Sequence, residues 1–143
     1  KAGLKYMPST KIELNYNKIA RIQGLDELAS ILFPGNKNHQ RVFLAIFIEL
    51  KYAPNRFLIS LAPLCIKYDF GPRTLETVRS KMRRMGLIDH VSRFNKKHGY
   101  REGWVFSNRF SRATTRLAEL SSCFTQQTGA TQERKDRDLF SYL

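Results

Sequence analysis

Gly71-Pro72-Arg73-Thr74-Leu75-Glu76-Thr77-Val78-Arg79-Ser80-Lys81-Met82-Arg83-Arg84-Met85-Gly86-Leu87-Ile88 is the stretch that decides the fold of this chain. Pro72 suits the first position of a helix, where its missing N–H is not needed, and Gly86 suits the position just past the end of one. Between them Leu75, Val78, Met82 and Met85 recur at steps of 3, 4 and 3. That spacing predicts an amphipathic helix over 73–85 with one narrow apolar face. At about 100° per residue, Arg73, Glu76, Thr77, Ser80 and Arg84 point farthest from that face. Arg79 and Arg83 flank one side of it, and Thr74 and Lys81 flank the other.

Downstream, Leu87-Ile88 opens a strand that should run to about Phe94. Asn95-Lys96-Lys97-His98-Gly99-Tyr100-Arg101 has the turn chemistry and charge of a hairpin tip, and Gly103-Trp104-Val105-Phe106 supplies the return strand. The tip carries Lys96, Lys97 and Arg101, with Arg93 at its base. Upstream, Asp69-Phe70-Gly71-Pro72 reads as a turn in which Gly71 takes the positive φ, preceded by a helix Leu61–Tyr68 capped by Ser60. Arg56–Ile59 reads as a short strand pairing with the hairpin. Asn38 is the expected cap of a central helix reaching Tyr52, and a brief helix is expected from Asp26 to Phe33, stopped by Pro34-Gly35. In the arm at 1–24, Ile12, Leu14 and Tyr16 alternate as a short strand would.

The chain should therefore divide into an arm and short helix (1–37), a domain at 38–108, a helix at 109–124 and a flexible tail at 125–143. The fold class is mainly α with a small antiparallel β hairpin, an α+β arrangement. In the third segment Phe110, Ala113, Leu117, Leu120 and Phe124 form a seam with coiled-coil-like steps of 3, 4, 3 and 4. The seam can pack on its own domain or form a homodimer, for which the N-terminal segment is the other candidate. Arg109, Arg112 and Arg116 lie on another face of that helix, where they can touch phosphate or be merely solvated. Thr125–Asp138 is polar and reads as a linker; Leu139-Phe140 and Tyr142-Leu143 can dock on a partner or fray.

Charge is distributed unevenly along the 143 residues. Residues 1–72 hold 10 Lys and Arg against 5 Asp and Glu, residues 73–116 hold 12 against 3, and residues 117–143 hold 3 against 4. So +9 of the net +13 falls in the predicted helix, the hairpin and the start of the next helix. A basic excess confined to one such unit is the footprint of a polyanion partner. No long helix combines a bulky apolar face with a lysine-rich one, which argues against a membrane surface.

Catalytic signatures are missing. The sequence has no G-x-x-x-x-G-K-[ST] or G-x-G-x-x-G loop, no H-E-x-x-H, no paired Cys-x-x-Cys and no carboxylate cluster that could hold magnesium. We therefore expect no enzyme, no cofactor and no metal. His39, His90 and His98 are scattered and read as structural. Trp104 and Tyr100 suit a core or cross-strand place better than a nucleotide stack. Cys65 and Cys123 read as reduced thiols. The lack of an apolar run of about 20 residues and of an opening secretory signal leads us to expect a cytoplasmic, nucleoid-associated protein.

Ser60-Leu61-Ala62-Pro63-Leu64, Gly71-Pro72-Arg73-Thr74-Leu75 and Met82-Arg83-Arg84-Met85-Gly86-Leu87-Ile88 together resemble the winged helix-turn-helix superfamily of transcription regulators. In that pattern a short helix and turn lead to Thr-Val, and a Leu-Glu-x-x-Gly-Leu-Ile exit follows. Here Leu75 stands at the Val and Met82 at the Leu, while Arg83 replaces a common Glu and makes the helix more basic. The resemblance covers roughly residues 38–108 and leaves the subfamily open. It implies a winged helix-turn-helix with N- and C-terminal helical extensions. Helix 73–85 would enter the major groove of double-stranded DNA through Arg73, Thr74, Thr77, Arg79, Ser80, Lys81, Arg83 and Arg84. The wing at 93–101 would follow the backbone through Arg93, Lys96, Lys97 and Arg101. Three functions are compatible with this: a sequence-specific transcription regulator, a replication-initiation or plasmid-partition protein, and a winged helix used for protein or RNA contacts.

Overall fold

Helical segments on both sides of a strand-period stretch at 88–106 produce a mainly helical protein with a small antiparallel sheet, an α+β architecture. The computed structural model describes residues 11–95 and 99–143. The helices are α1 (Tyr16–Ala20), α2 (Leu25–Leu32), α3 (Lys37–Lys51), α4 (Leu64–Lys67), α5 (Pro72–Met85), α6 (Arg109–Phe124) and α7 (Ala130–Asp138). The strands are β1 (Phe57–Leu58), β2 (Ile88–Asn95) and β3 (Gly99–Phe106), ordered β1-β3-β2 with both pairings antiparallel. The chain divides into two units, Lys1–Phe110 and Ser111–Leu143.

In the first unit the core is one cluster. Ala29, Leu32 and Phe33 of the α2 region meet Val42, Phe43, Ile46 and Leu50 of α3, Leu75, Val78 and Met82 of α5, and Ile88 and Trp104 of the sheet. Rings form a row through it: Phe33 to Phe43 at 5.6 Å, Phe43 to Phe47 at 5.5 Å and Phe47 to Phe106 at 5.0 Å. Each fully buried large side chain contributes about 1.5–3 kcal/mol. Because α3 is covered by α2, α5 and the sheet, its apolar residues occupy most sides of the helix instead of one stripe.

Several expectations are corrected. Asn36, not Asn38, caps α3, its Oδ1 accepting the His39 N–H at 3.0 Å. The expected helix 61–68 is reduced to α4; Leu64 N–H and Cys65 N–H close three-residue turns onto Leu61 and Ala62, and Ser60 Oγ accepts the Ala62 N–H at 3.1 Å. Gly71 keeps an extended φ of −79°, and Asp69 takes the positive φ of 54°. The residue before a proline is driven to extended backbone, so the left-handed turn falls on the short polar Asp69, which tolerates it. The alternation at Ile12, Leu14 and Tyr16 makes no strand; Asn15 Oδ1 caps α1 through the Lys18 N–H at 3.0 Å. Residues 130–138 are the helix α7 instead of a polar linker, with Arg137 and Gln132 bonded one turn away to Glu133 and Asp136. Side-chain pairs four residues apart stabilise such a polar helix.

Candidate nucleic-acid interface

The turn between α4 and α5 is anchored to α3 from two sides. Glu49 accepts hydrogen bonds from Lys67 Nζ at 2.7 Å and from the Tyr68 hydroxyl at 2.9 Å, while Arg41 Nη2 donates to the Tyr68 carbonyl at 2.8 Å. The Lys67 and Tyr68 bonds hold the Glu49 carboxyl below its usual value, and burial followed by the Glu49 bond raises the Tyr68 phenol. This anchoring fixes the start of α5, where Pro72 is the first residue and the helix dipole leaves a positive end.

At its other end α5 stops at Gly86 with φ of 88°. A Cβ there would lie 2.7 Å from Arg109 Cβ and 2.8 Å from the Phe110 nitrogen, so glycine is required both for the left-handed turn and for the close approach of residues 109–110. The Gly86 carbonyl in turn accepts the Phe110 N–H at 2.9 Å.

Between these ends the residues expected to face a duplex separate into two groups. Arg73, Ser80, Arg83 and Arg84 are exposed, and none of the ion pairs among the described residues uses those arginines. Ser80, Arg83 and Arg84 line an open depression of about 500 Å³ together with Asp89 and Arg109. The other group is engaged within the protein. Arg79 lies over the Trp104 ring at 5.3 Å, Lys81 Nζ approaches His39 Nδ1 at 3.3 Å, and the Thr77 hydroxyl donates to the Arg73 carbonyl at 3.0 Å. Thr74 is half-buried. Burial, with Lys81 adding repulsion, lowers the His39 pKa, which favours the neutral imidazole whose Nδ1 can accept a hydrogen bond from the Lys81 ammonium. His39 and His90 have structural neighbours, His90 standing edge-on to Trp104 at 4.8 Å.

Arg109 is also engaged internally. Its Nη2 donates to Asp89 Oδ1 at 2.5 Å and to the Arg83 carbonyl at 2.9 Å, tying residue 109 to the end of α5. The Arg109 bond, opposed by burial and aided by Ser107, lowers the Asp89 pKa. Asp89 is one of three acidic residues among twelve Lys and Arg in the stretch 73–116, and nothing in the sequence marks Arg109, twenty residues away, as its partner. Arg112 and Arg116 are exposed on the Ser111–Leu143 unit.

The return strand β3 is longer than expected, starting at Gly99 instead of Gly103, while β2 keeps its expected length. Arg101, expected at the tip, sits inside β3 directly opposite Arg93 of β2. Lys96 and Lys97 lie outside the described residues, and Arg93 is described as a strand position only. Trp104 is buried and Tyr100 is exposed. Among the described residues no group of His, Cys, Asp and Glu could hold a metal ion, and no helix is long and apolar enough to cross a membrane. Comparison with protein-family models, with curated proteins and with solved structures finds no match for this chain.

Proposed function

We propose that the first unit is a winged helix-turn-helix that binds double-stranded DNA, acting as a sequence-specific transcription regulator associated with the nucleoid. The reading is supported by the order α3, β1, α4, α5, β2, β3 and by the sheet order β1-β3-β2, in which the strand before the helix-turn-helix pairs with the returning strand of the hairpin. The observation that carries it is the exposed row Arg73, Ser80, Arg83 and Arg84 on a helix whose opposite side is buried. Arginine donates two parallel hydrogen bonds to guanine and serine bonds to base or phosphate, so these groups suit a major groove. An apolar or acidic exposed face on this helix would have favoured protein contacts instead.

In this reading Arg73 and Ser80 reach base edges. Arg84 and Arg83 border the depression at the end of α5 and hold phosphate. Thr77, Arg79 and Lys81 position the helix instead of touching DNA. Footprinting of the protein on the genomic region around its own gene tests the assignment: a protected palindrome supports a regulator, tandem direct repeats support the replication or partition alternative, and no protection at low salt rejects DNA binding.

A second copy of the chain is the partner proposed for α6. Leu117 is 59 % and Phe124 78 % exposed, and no residue of 111–143 is buried. Most of the stability of an amphipathic helix comes from packing its apolar face. Residues 111–143 carry 5 Lys and Arg against 4 Asp and Glu, so self-association there meets little of the repulsion that the first unit would impose. Leu117→Arg is expected to leave a monomer in sedimentation; an unchanged oligomeric state rejects the assignment.

A further inference from the structure

The register of the hairpin gives its faces. Residues directly opposite each other project to the same side, and sides alternate along each strand. The pairs Ile88 with Phe106, His90 with Trp104, Ser92 with Glu102 and Phe94 with Tyr100 therefore share one face. At the inner end this face is core: Ile88 is fully buried, Phe106 meets Phe47, and Trp104 is covered by Arg79 of α5. It is thus the face turned toward the basic helix. At the outer end the same face leaves two large rings in water, Phe94 at 75 % and Tyr100 at 61 % exposed. The Tyr100 ring is held in place, because its hydroxyl donates to Glu102 Oε1 at 2.7 Å and lies 2.8 Å from Ser92 Oγ.

We infer that the Phe94–Tyr100 pair is an apolar contact for a DNA groove, packing on deoxyribose and base edges next to the groove that α5 occupies. This rests on the DNA-binding reading above. Two further points select a duplex over a protein surface. In sequence the rings are bracketed by Arg93, Lys96, Lys97 and Arg101, four cations and no carboxylate between residues 93 and 101, which complements phosphates on either side of a groove. The pair also lies four residues beyond His90 and Trp104, or about 13 Å at the rise of a strand. That reach carries the rings past the part of the sheet that Arg79 of α5 covers, toward the groove beside the one α5 would occupy. Apolar side chains placed at a minor groove in this way wedge against base steps and bind without adding phosphate contacts.

The test uses the full chain and a duplex that the wild type binds, titrated at several salt concentrations by fluorescence anisotropy. Phe94→Ala/Tyr100→Ala is expected to weaken binding at least about fivefold, the low end for removal of one base–aromatic stack, with the slope of log K against log salt unchanged. Phe94→Trp, which keeps a ring, is expected to retain affinity and to change its emission on DNA addition. Equal affinity of the double alanine variant, with its circular dichroism unchanged, overturns the inference and leaves the DNA reading intact. Loss of affinity together with a shallower slope also overturns it, since the rings would then act through the cations. A defect confined to single-stranded DNA of the same sequence assigns the rings elsewhere, and failure of the wild type itself to bind duplex removes the DNA reading.

Discussion

Helices α5 and α6 have nearly the same apolar rhythm and opposite surroundings. In α5, Leu75, Val78 and Met82 are buried, whereas in α6 Leu117 and Phe124 stand in water. Periodicity therefore tells which side of a helix is apolar, but not what covers it. For α5 the cover is built by its own unit, because α4 and α3 hold one end and Gly86 lets residues 109–110 close on the other. A covered apolar side forces the polar side outward, and that is what presents Arg73, Ser80, Arg83 and Arg84. For α6 the seam stays exposed, which is what motivates the proposed second copy.

The contrast can be broken by mutation. Met82→Ala is expected to cost about 2–5 kcal/mol in chemical denaturation, while Leu117→Ala in dilute protein should stay within about 0.5 kcal/mol. Similar costs for the two would show that the seam of α6 is covered in the monomer. Gly86→Ala should cost about 1–3 kcal/mol, since alanine resists the left-handed backbone and its Cβ meets Arg109; a calorimetric melting temperature unchanged from wild type would contradict the close approach of residues 109–110.

Smaller effects sharpen the picture by pH. The folded Asp89 carboxyl titrates below its ordinary value, so its contribution is present above that ordinary value and is lost as pH falls through the lower folded one. Asp89→Asn should remove that dependence at a cost of about 1 kcal/mol or less, because the pair is partly exposed. Stability curves of the two proteins that run parallel to the acid limit would rule out the Arg109 pairing. For His39 the sign differs. The folded imidazole stays neutral where the unfolded one takes a proton, so acidification below the ordinary histidine value destabilises the fold. Lys81→Met should raise the His39 pKa only part of the way by NMR titration, because burial is the larger cause; complete recovery would show that Lys81 dominates.

Much of this is legible in the sequence for one physical reason: α5 is specified locally. Its proline, its 3-4-3 stripe and its glycine lie within sixteen residues, and the strand signals follow at once. Features set by distant partners are not legible. The shift of positive φ from Gly71 to Asp69 is local, set by Pro72, and escapes a reading of the sequence because glycine is the usual occupant of such a position. The inward turn of Arg79 and Lys81 depends on Trp104 and His39, and the Arg109–Asp89 pair spans a hairpin; neither leaves a periodic trace. Polar composition at 130–138 suggests a linker because no apolar face marks that helix, whose support comes from pairs one turn apart.

The most direct test of the proposed duplex-binding surface is the salt dependence of DNA affinity for the wild type and for Lys96→Ala/Lys97→Ala/Arg101→Ala. The account predicts tight binding at low salt, a linear fall of log K with log salt, and a slope shallower by up to ~0.9 for each phosphate that the variant no longer neutralises. Absence of low-salt duplex binding, or an identical slope in the two proteins, would contradict it.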